Sequence, residues 1–359
     1  MGWDRYFEKS LKSGTRENRG KGVHKKVTPN GSLPSNWSTL LRCSDNKREL
    51  FPFLSQHLIE LFEQSKFLVA TDNEMVISNQ LVDLSSLMPC NIEESDGRMF
   101  LHAHHASNSC QSIMIQTPDS DVVSIGVALY QKLRKLRELW IEYGRGKDLK
   151  FIPIHEIANT LGPSTSKAIL FFTSISGCDE CSSVQGKGKK SFFDAWKLMP
   201  EMTAIFIKLS EVEDVADIVE EDFQALEKFF VVLHSATLNT DDINVARRVL
   251  FTQGGRTLEN LPPTSCALKQ HVLRSSLQAQ KWARSLVKDA VEIDPENWGW
   301  KKVEGSNAIY QPYWTELEEI SAACKVLTKC GCKKACRGRC KCRQQGLECT
   351  ELCACSGQC

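Results

Sequence analysis

The sequence predicts an α/β fold, a mostly parallel sheet with flanking helices, continued by a helical extension and closed by a small cysteine-rich module. Three observations carry this. Short apolar runs (FLVAT, MVIS, SIMIQT, ELWIEY, FIPI) alternate with helical patterns through the first half, and such alternation places helices on the faces of a sheet. The second half reads as successive amphipathic helices. Nine of the 16 cysteines fall within the last thirty of the 359 residues.

Composition supports a packed interior. Hydrophobic residues make up 42%, and 45 Lys plus Arg nearly balance 44 Asp plus Glu for a net charge of +1, which excludes a wholly disordered chain. No run approaches the ~18 apolar residues of a membrane span, and MGWDRYFEKSLKSG lacks the apolar core of a signal peptide. The expected compartment is therefore the nucleus or, alternatively, the cytoplasm, with no membrane partner. Gly2 does not read as a myristoylation site, because Tyr6 stands where that motif needs Ser or Thr.

The elements follow in order. Residues 1–34 form a basic, Gly-rich arm with eight Lys or Arg up to residue 30. A helix is expected over 44–66, capped by Ser44 or Asn46, with Leu50, Phe53, Leu54, Leu58, Leu61 and Phe62 on one face. Two short β runs come next, then a helix over 96–107, strand 112–117, a helix from 121 to about 136, and a hairpin of 138–143 with 151–154 across the GRGKD turn. Helices are expected at 166–176, 191–199, 201–209, 223–235, 241–251 and 266–291, with EVEDVADIVEED as a solvated acidic helix face. Thr315 and Glu318 make a capping box for a last helix carrying Leu317, Ile320, Cys324 and Leu327. The expected domains are the arm 1–34, an α/β domain 35–210, a helical extension and linker 211–328, and a cysteine module 329–359.

That module holds Cys330, Cys332, Cys336, Cys340, Cys342, Cys349, Cys353, Cys355 and Cys359. An odd number of thiols in a reducing compartment argues against disulfides. Tetrahedral zinc needs four ligands; six terminal and three bridging thiolates supply the twelve contacts of about three ions. So short a segment buries little core, so metal binding drives its folding. Lys333, Lys334, Arg337, Arg339, Lys341 and Arg343 add charge suited to phosphate. The alternative is a zinc-stapled cap that binds no nucleic acid.

Acidic motifs occur in order through the α/β region: Glu94 and Asp96 before a helix, Asp119 and Asp121 after the strand SIMIQT, and Asp179 after an apolar helix. Strand carboxyl ends converge on one edge of an α/β sheet. Crowded carboxylates repel unless divalent cations lie between them, and paired magnesium ions clamp displacement at phosphorus. Downstream, Gly186, Lys187 and Gly188 form a turn leading into a helix that begins with Lys189 and Lys190, a phosphate cradle of exposed N–H groups and charge. GxxxxGK[ST] fits no register here.

Together these residues resemble the flap-endonuclease branch of the PIN-like 5′ nucleases, with Glu94 and Asp96, Asp119 and Asp121, and Asp179 matching its three acidic motifs and Gly186 and Gly188 its duplex-gripping turn. Trp3-Asp4 and LKSGTRENRGKG resemble its Phe-Asp segment and helical arch. The family's first strand, with its aspartate, would lie upstream of Asp4. The cysteine ladder resembles the CXC domain of tesmin-type DNA-binding proteins, with Arg339 where that family places a minor-groove tyrosine and x3 as the last spacing. The pairing resembles mobile-element-associated animal proteins. The resemblances imply Mg2+ or Mn2+ at the acids, zinc at the cysteines, and nucleic acid, DNA foremost, as partner. The open alternative is an inactive, mobile-element-derived DNA-binding or scaffold protein.

Other features read more plainly. His102, His104 and His105 are expected on a helix surface, and Cys178-x-x-Cys181 as neither redox pair nor half a zinc site. Trp282, Trp298, Trp300 and Trp314 are expected in packing.

Overall fold

A computed structural model describes residues 1–7, 10–12, 22–133, 135–253, 257–303, 310–315, 329–332, 336, 340–344, 348–349 and 353–356. The chain divides into two units, Met1–Tyr313 and Trp314–Cys359.

Residues far along the chain hold the amino-terminal residues of the first unit. The Met1 amino group donates to the Val69 carbonyl (2.7 Å), and the Trp3 amide to the Thr71 hydroxyl (3.0 Å). The Trp3 ring stacks on Phe51 with centroids 4.6 Å apart. Helix α1 (Trp37–Arg42) is capped by Asn36, and α2 (Ser44–Leu61) follows at once. Neither Ser44 nor Asn46 caps α2: Cys43 holds that position without a side-chain bond. Asn46 is instead a buried tie, accepting from the Lys25 amide (2.8 Å) and donating to the Val23 and Leu40 carbonyls (2.8 and 2.9 Å).

Strands β1 (Val69–Asp72) and β2 (Met75–Ser78) make an antiparallel hairpin. Its turn places Asn73 at φ 52°, a left-handed conformation Asn tolerates better than most residues. From α3 (Ser95–Ala106), the buried Arg98 donates to the carbonyls of Asn73 and Met75, which pins this helix to the hairpin.

Strand β3 (Ser112–Thr117), helix α4 (Asp121–Leu129) and strand β4 (Glu138–Tyr143) form a parallel crossover, and β5 (Lys150–Pro153) returns antiparallel to β4. Of the four pairings among the described residues, β3–β4 alone is parallel. The architecture is thus mixed α/β with small mixed sheets.

Helix α5 (Ile154–Ile175) starts directly at the end of β5, twelve residues before the expected start at 166. Gly162 (φ 75°, ψ 168°) and Pro163 break it inside; a Gly-Pro pair masks helical periodicity in sequence because it interrupts the helix in space. Helices α6 (Lys189–Leu198), α7 (Met202–Glu211), α8 (Glu220–His234), α9 (Ile243–Thr252) and α10 (Ser265–Ala283) complete the helical layer. Fully buried Phe100, Ile125, Ile141, Phe171, Phe206, Phe229 and Val272 belong to one core, so it extends through the α7–α8 junction. Phe206 packs edge-on to Trp196 and Phe229 at 5.2 and 5.5 Å.

The acidic stretch before α8 is not one solvated helix. Glu211 ends α7, Val215–Asp217 is a single 3-10 turn, and Glu220, Glu221 and Asp222 lie in the first turn of α8, where the helix dipole favours acids. Asp222 is buried, 2.6 Å from Lys208 Nζ. Helix α10 ends at Ala283 rather than 291 and is buried nearly all round, carrying Arg274, Ser275, Ser276, Gln278 and Gln280 inside. Strands β6 (Trp300–Lys302) and β7 (Tyr310–Pro312) pair antiparallel. Just before β6, Gly299 (φ 79°) lies so close to α10 that a Cβ would come 2.7 Å from the Gln270 carbonyl. Trp282, Trp298 and Trp300 are buried as expected, whereas Trp314 is exposed.

Among the described residues, the second unit has the short helix α11 (Lys341–Gln344) and a core made only of cysteines. The expected helix over 316–327 lies outside the described residues.

Candidate metal centres

Three chain segments bring the five expected carboxylates into one electrostatic neighbourhood. Glu94 is the N-cap of α3 and Asp96 lies in its first turn. Asp119 follows β3, accepting the Asp121 amide at 2.8 Å, and Asp121 opens α4. Asp179 sits in the turn after α5 and interacts with Asp121. Burial, then Glu94 and Asp119, push the Asp96 carboxyl up to about 7. Burial also raises Glu94 and, despite Lys189, Asp121. The cluster holds more negative charge than its surroundings stabilise, the condition a divalent cation relieves.

Three lysines are threaded through it. Lys189 Nζ lies 2.8 Å from Asp121, so this residue of the expected cradle is turned onto an acid. Lys12 Nζ lies 3.6 Å from Glu94, and Lys281 Nζ 3.0 Å from Glu180. Gln278 Nε2 donates to Glu94 at 3.2 Å, and the neighbouring Glu180 adds to the rise of the Glu94 carboxyl. The Lys12 ammonium is held well above its usual range despite its burial, by Glu94 and then Glu180. Asp4 accepts the Ser95 amide at 2.8 Å at the start of α3. Sequence reasoning missed Glu180, Gln278 and Lys281, and placed Lys12 only in a basic arm. Their partners lie far away in the chain, 101 residues for Lys281 and Glu180, and no local spacing encodes such pairs.

The expected phosphate cradle is a turn. Gly186 has φ 71°, the Lys187 amide donates to the Val184 carbonyl (3.0 Å), and Gly188 is the N-cap of α6. Lys189 and Lys190 are exposed at the first turn of that helix. His102 is not on the surface as expected: burial holds its imidazole down to about 3.

In the second unit, three sets of four thiols have sulfurs within 4.8 Å of one another: Cys330, Cys340, Cys342 and Cys349; Cys330, Cys332, Cys336 and Cys340; and Cys330, Cys336, Cys349 and Cys355. Each offers the four soft donors of a tetrahedral zinc site. Cys330 belongs to all three sets and Cys336, Cys340 and Cys349 to two each, and Cys342 and Cys353 sulfurs lie 3.7 Å apart. The Arg343 amide, at the start of α11, pulls the Cys340 thiol down to about 6, favouring a ligating thiolate. Among the described residues these thiols alone gather three or more donors at single-ion spacing; the carboxylates of the first unit do not. Cys359, Lys333, Lys334, Arg337 and Arg339 lie outside the described residues.

No helix among the described residues is long and apolar enough to cross a membrane. Comparison with protein families, curated proteins and solved structures gives no match.

Proposed function

We propose that the first unit is a flap-endonuclease-like, divalent-metal-dependent phosphodiesterase acting on nucleic acid, DNA foremost, and that the cysteine unit is a tesmin-type module of three zinc ions that contacts DNA in the nucleus. The observation that carries the enzymatic reading is the convergence of Glu94, Asp96, Asp119, Asp121 and Asp179, from three separate segments, into a neighbourhood that raises Asp96 to about 7. These residues would hold Mg2+ or Mn2+, which supply an activated water and neutralise charge developing on a phosphodiester. Lys12 and Lys189 exchange carboxylate partners for phosphate oxygens when a strand arrives. Gly186, Lys187, Gly188 and the α6 amino terminus hold the flanking backbone.

In the tail, the three bridging thiolates come from the four thiols shared between sets, Cys330, Cys336, Cys340 and Cys349. Six thiolates, Cys359 among them, are terminal. Lys333, Lys334, Arg337 and Arg339 supply the phosphate contacts, so affinity falls steeply with salt.

A second reading is a nuclease-shaped protein, mobile-element-derived, that binds without cutting. It draws support from the lysines already paired to the acids and from the carboxylates standing wider than single-ion spacing. The zinc-loaded protein incubated with 5′-flap and hairpin DNA in Mg2+ or Mn2+ separates the two. Cleavage that Asp121→Asn abolishes supports the first, and binding without cleavage in the unaltered protein refutes it.

A further inference from the structure

We infer that Cys178 and Cys181, the two residues flanking Asp179 and Glu180, are an oxidative modification site that closes reversibly to a disulfide under a two-electron thiol oxidant. The sequence alone reads this C-x-x-C as incidental; the backbone says otherwise. The Cys178 amide donates to the Cys181 carbonyl and the Cys181 amide to the Cys178 carbonyl, both at 3.3 Å. Such a reciprocal pair sets the two Cα atoms about 5.5 Å apart, inside the roughly 4.4–6.8 Å that a disulfide spans. The Cys181 thiol acts more strongly on the Cys178 thiol than any other group does, which places the two side chains near each other. Access is graded: Cys178 is half-buried and Cys181 is buried, so an oxidant meets Cys178 first.

The loop has little freedom to relax elsewhere. Gly177 sits at φ 109° and a Cβ there would come 2.8 Å from the Ser183 Cβ, so the chain is closed tightly on both sides of the pair. Glu180, between the sulfurs, has a side chain 4% exposed and fixed by Lys281. Drawing the two sulfurs together to about 2.05 Å therefore moves the Asp179-Glu180 segment rather than slack chain.

With a peroxide the step balances. Cys178 sulfur attacks one peroxide oxygen, the O–O bond breaks, and a sulfenic acid and one water form. Cys181 sulfur then displaces the sulfenic oxygen, forming the S–S bond and releasing the second water with the remaining thiol proton. A dithiol reductant reverses it. The effect on the acidic site rests on the nuclease reading; the disulfide does not.

The test treats the full zinc-loaded chain with hydrogen peroxide, alkylates remaining thiols, and maps the peptide holding both cysteines, beside Cys178→Ser. The expected result is a peptide two hydrogens lighter and closed to alkylation, restored by dithiothreitol. Alkylation of both thiols while exposed Cys110 and Cys266 are oxidised overturns the proposal. In the second arm, flap cleavage falls by roughly a hundredfold on oxidation, the cost of ångström-scale misplacement, and recovers on reduction. The Cys178→Ser protein carries the same tail and keeps its cleavage, which separates this loop from damage to the zinc thiolates. Disulfide formation with unchanged cleavage overturns the regulatory part. A disulfide in a protein that never cleaves refutes the nuclease reading and leaves the redox pair supported.

Discussion

Glu180 shows how much a single side chain in this cluster depends on its partner. Its carboxylate is almost sealed from solvent, while Lys281 is still 34% exposed along its side chain. Replacing Lys281 by Met leaves that carboxylate beside Glu94 with one ammonium fewer. Removing one member of a fully buried ion pair costs roughly 3–5 kcal/mol; because the lysine is partly solvated, the expected loss is about 2 kcal/mol. Denaturant unfolding of Lys281→Met measures it, and Glu180→Gln in the same chain should return most of the loss. A Lys281→Met protein as stable as the parent would mean that the pair is not formed in solution.

Helix α10 carries the clearest pH signature, because it is an interior helix built from polar residues. His271 Nε2 donates to the Ile175 carbonyl at 2.9 Å, and burial holds the imidazole down to about 4. The unfolded chain takes up its proton near pH 6.5 while the folded chain refuses it until about 4. Stability from this residue is therefore complete above pH 6.5 and is lost as pH falls toward 4, at about 1.4 kcal/mol per pH unit. Unfolding free energies between pH 7.5 and 5 should differ from those of His271→Asn by about 2 kcal/mol in slope-derived loss at the acid end; parallel curves would refute the assignment. That same helix marks where the sequence stopped being legible. Strand β3 and helix α3 were readable to within a residue, since alternation and a local apolar stripe define them. The five acids were readable because each belongs to a short motif at an element boundary. Helix α10 was readable as a helix but not as the spine of the core, because its buried Gln278, Gln280 and Arg274 look like solvent-facing residues until tertiary partners arrive. Ile154–Leu161 was missed because Gly162 and Pro163 hide the helix they interrupt.

At the scale of the whole chain, two units rest on different physics. The first holds an extended apolar core from Phe100 to Trp300, whereas the described core of the second is cysteine alone. Without metal, burial and then the neighbouring thiols push the Cys332 thiol up to about 11 and Cys342 to about 12, while Cys340 is drawn down to about 6. Metal must displace those protons, so zinc affinity should rise with pH. A strong chelator at neutral pH should accordingly unfold residues 330–359 and leave the thermal transition of the first unit in place, as followed by amide resonances of both. The ligand sets sharpen this into a test of connectivity. Losing a terminal thiolate disturbs one ion, and losing a bridging one disturbs two. Zinc per chain should therefore fall further in Cys340→Ser, which touches two sets, than in Cys332→Ser, which touches one. Equal losses would break the bridged arrangement and leave separate sites, and since nine thiolates cannot supply twelve separate contacts, fewer than three ions would then be held.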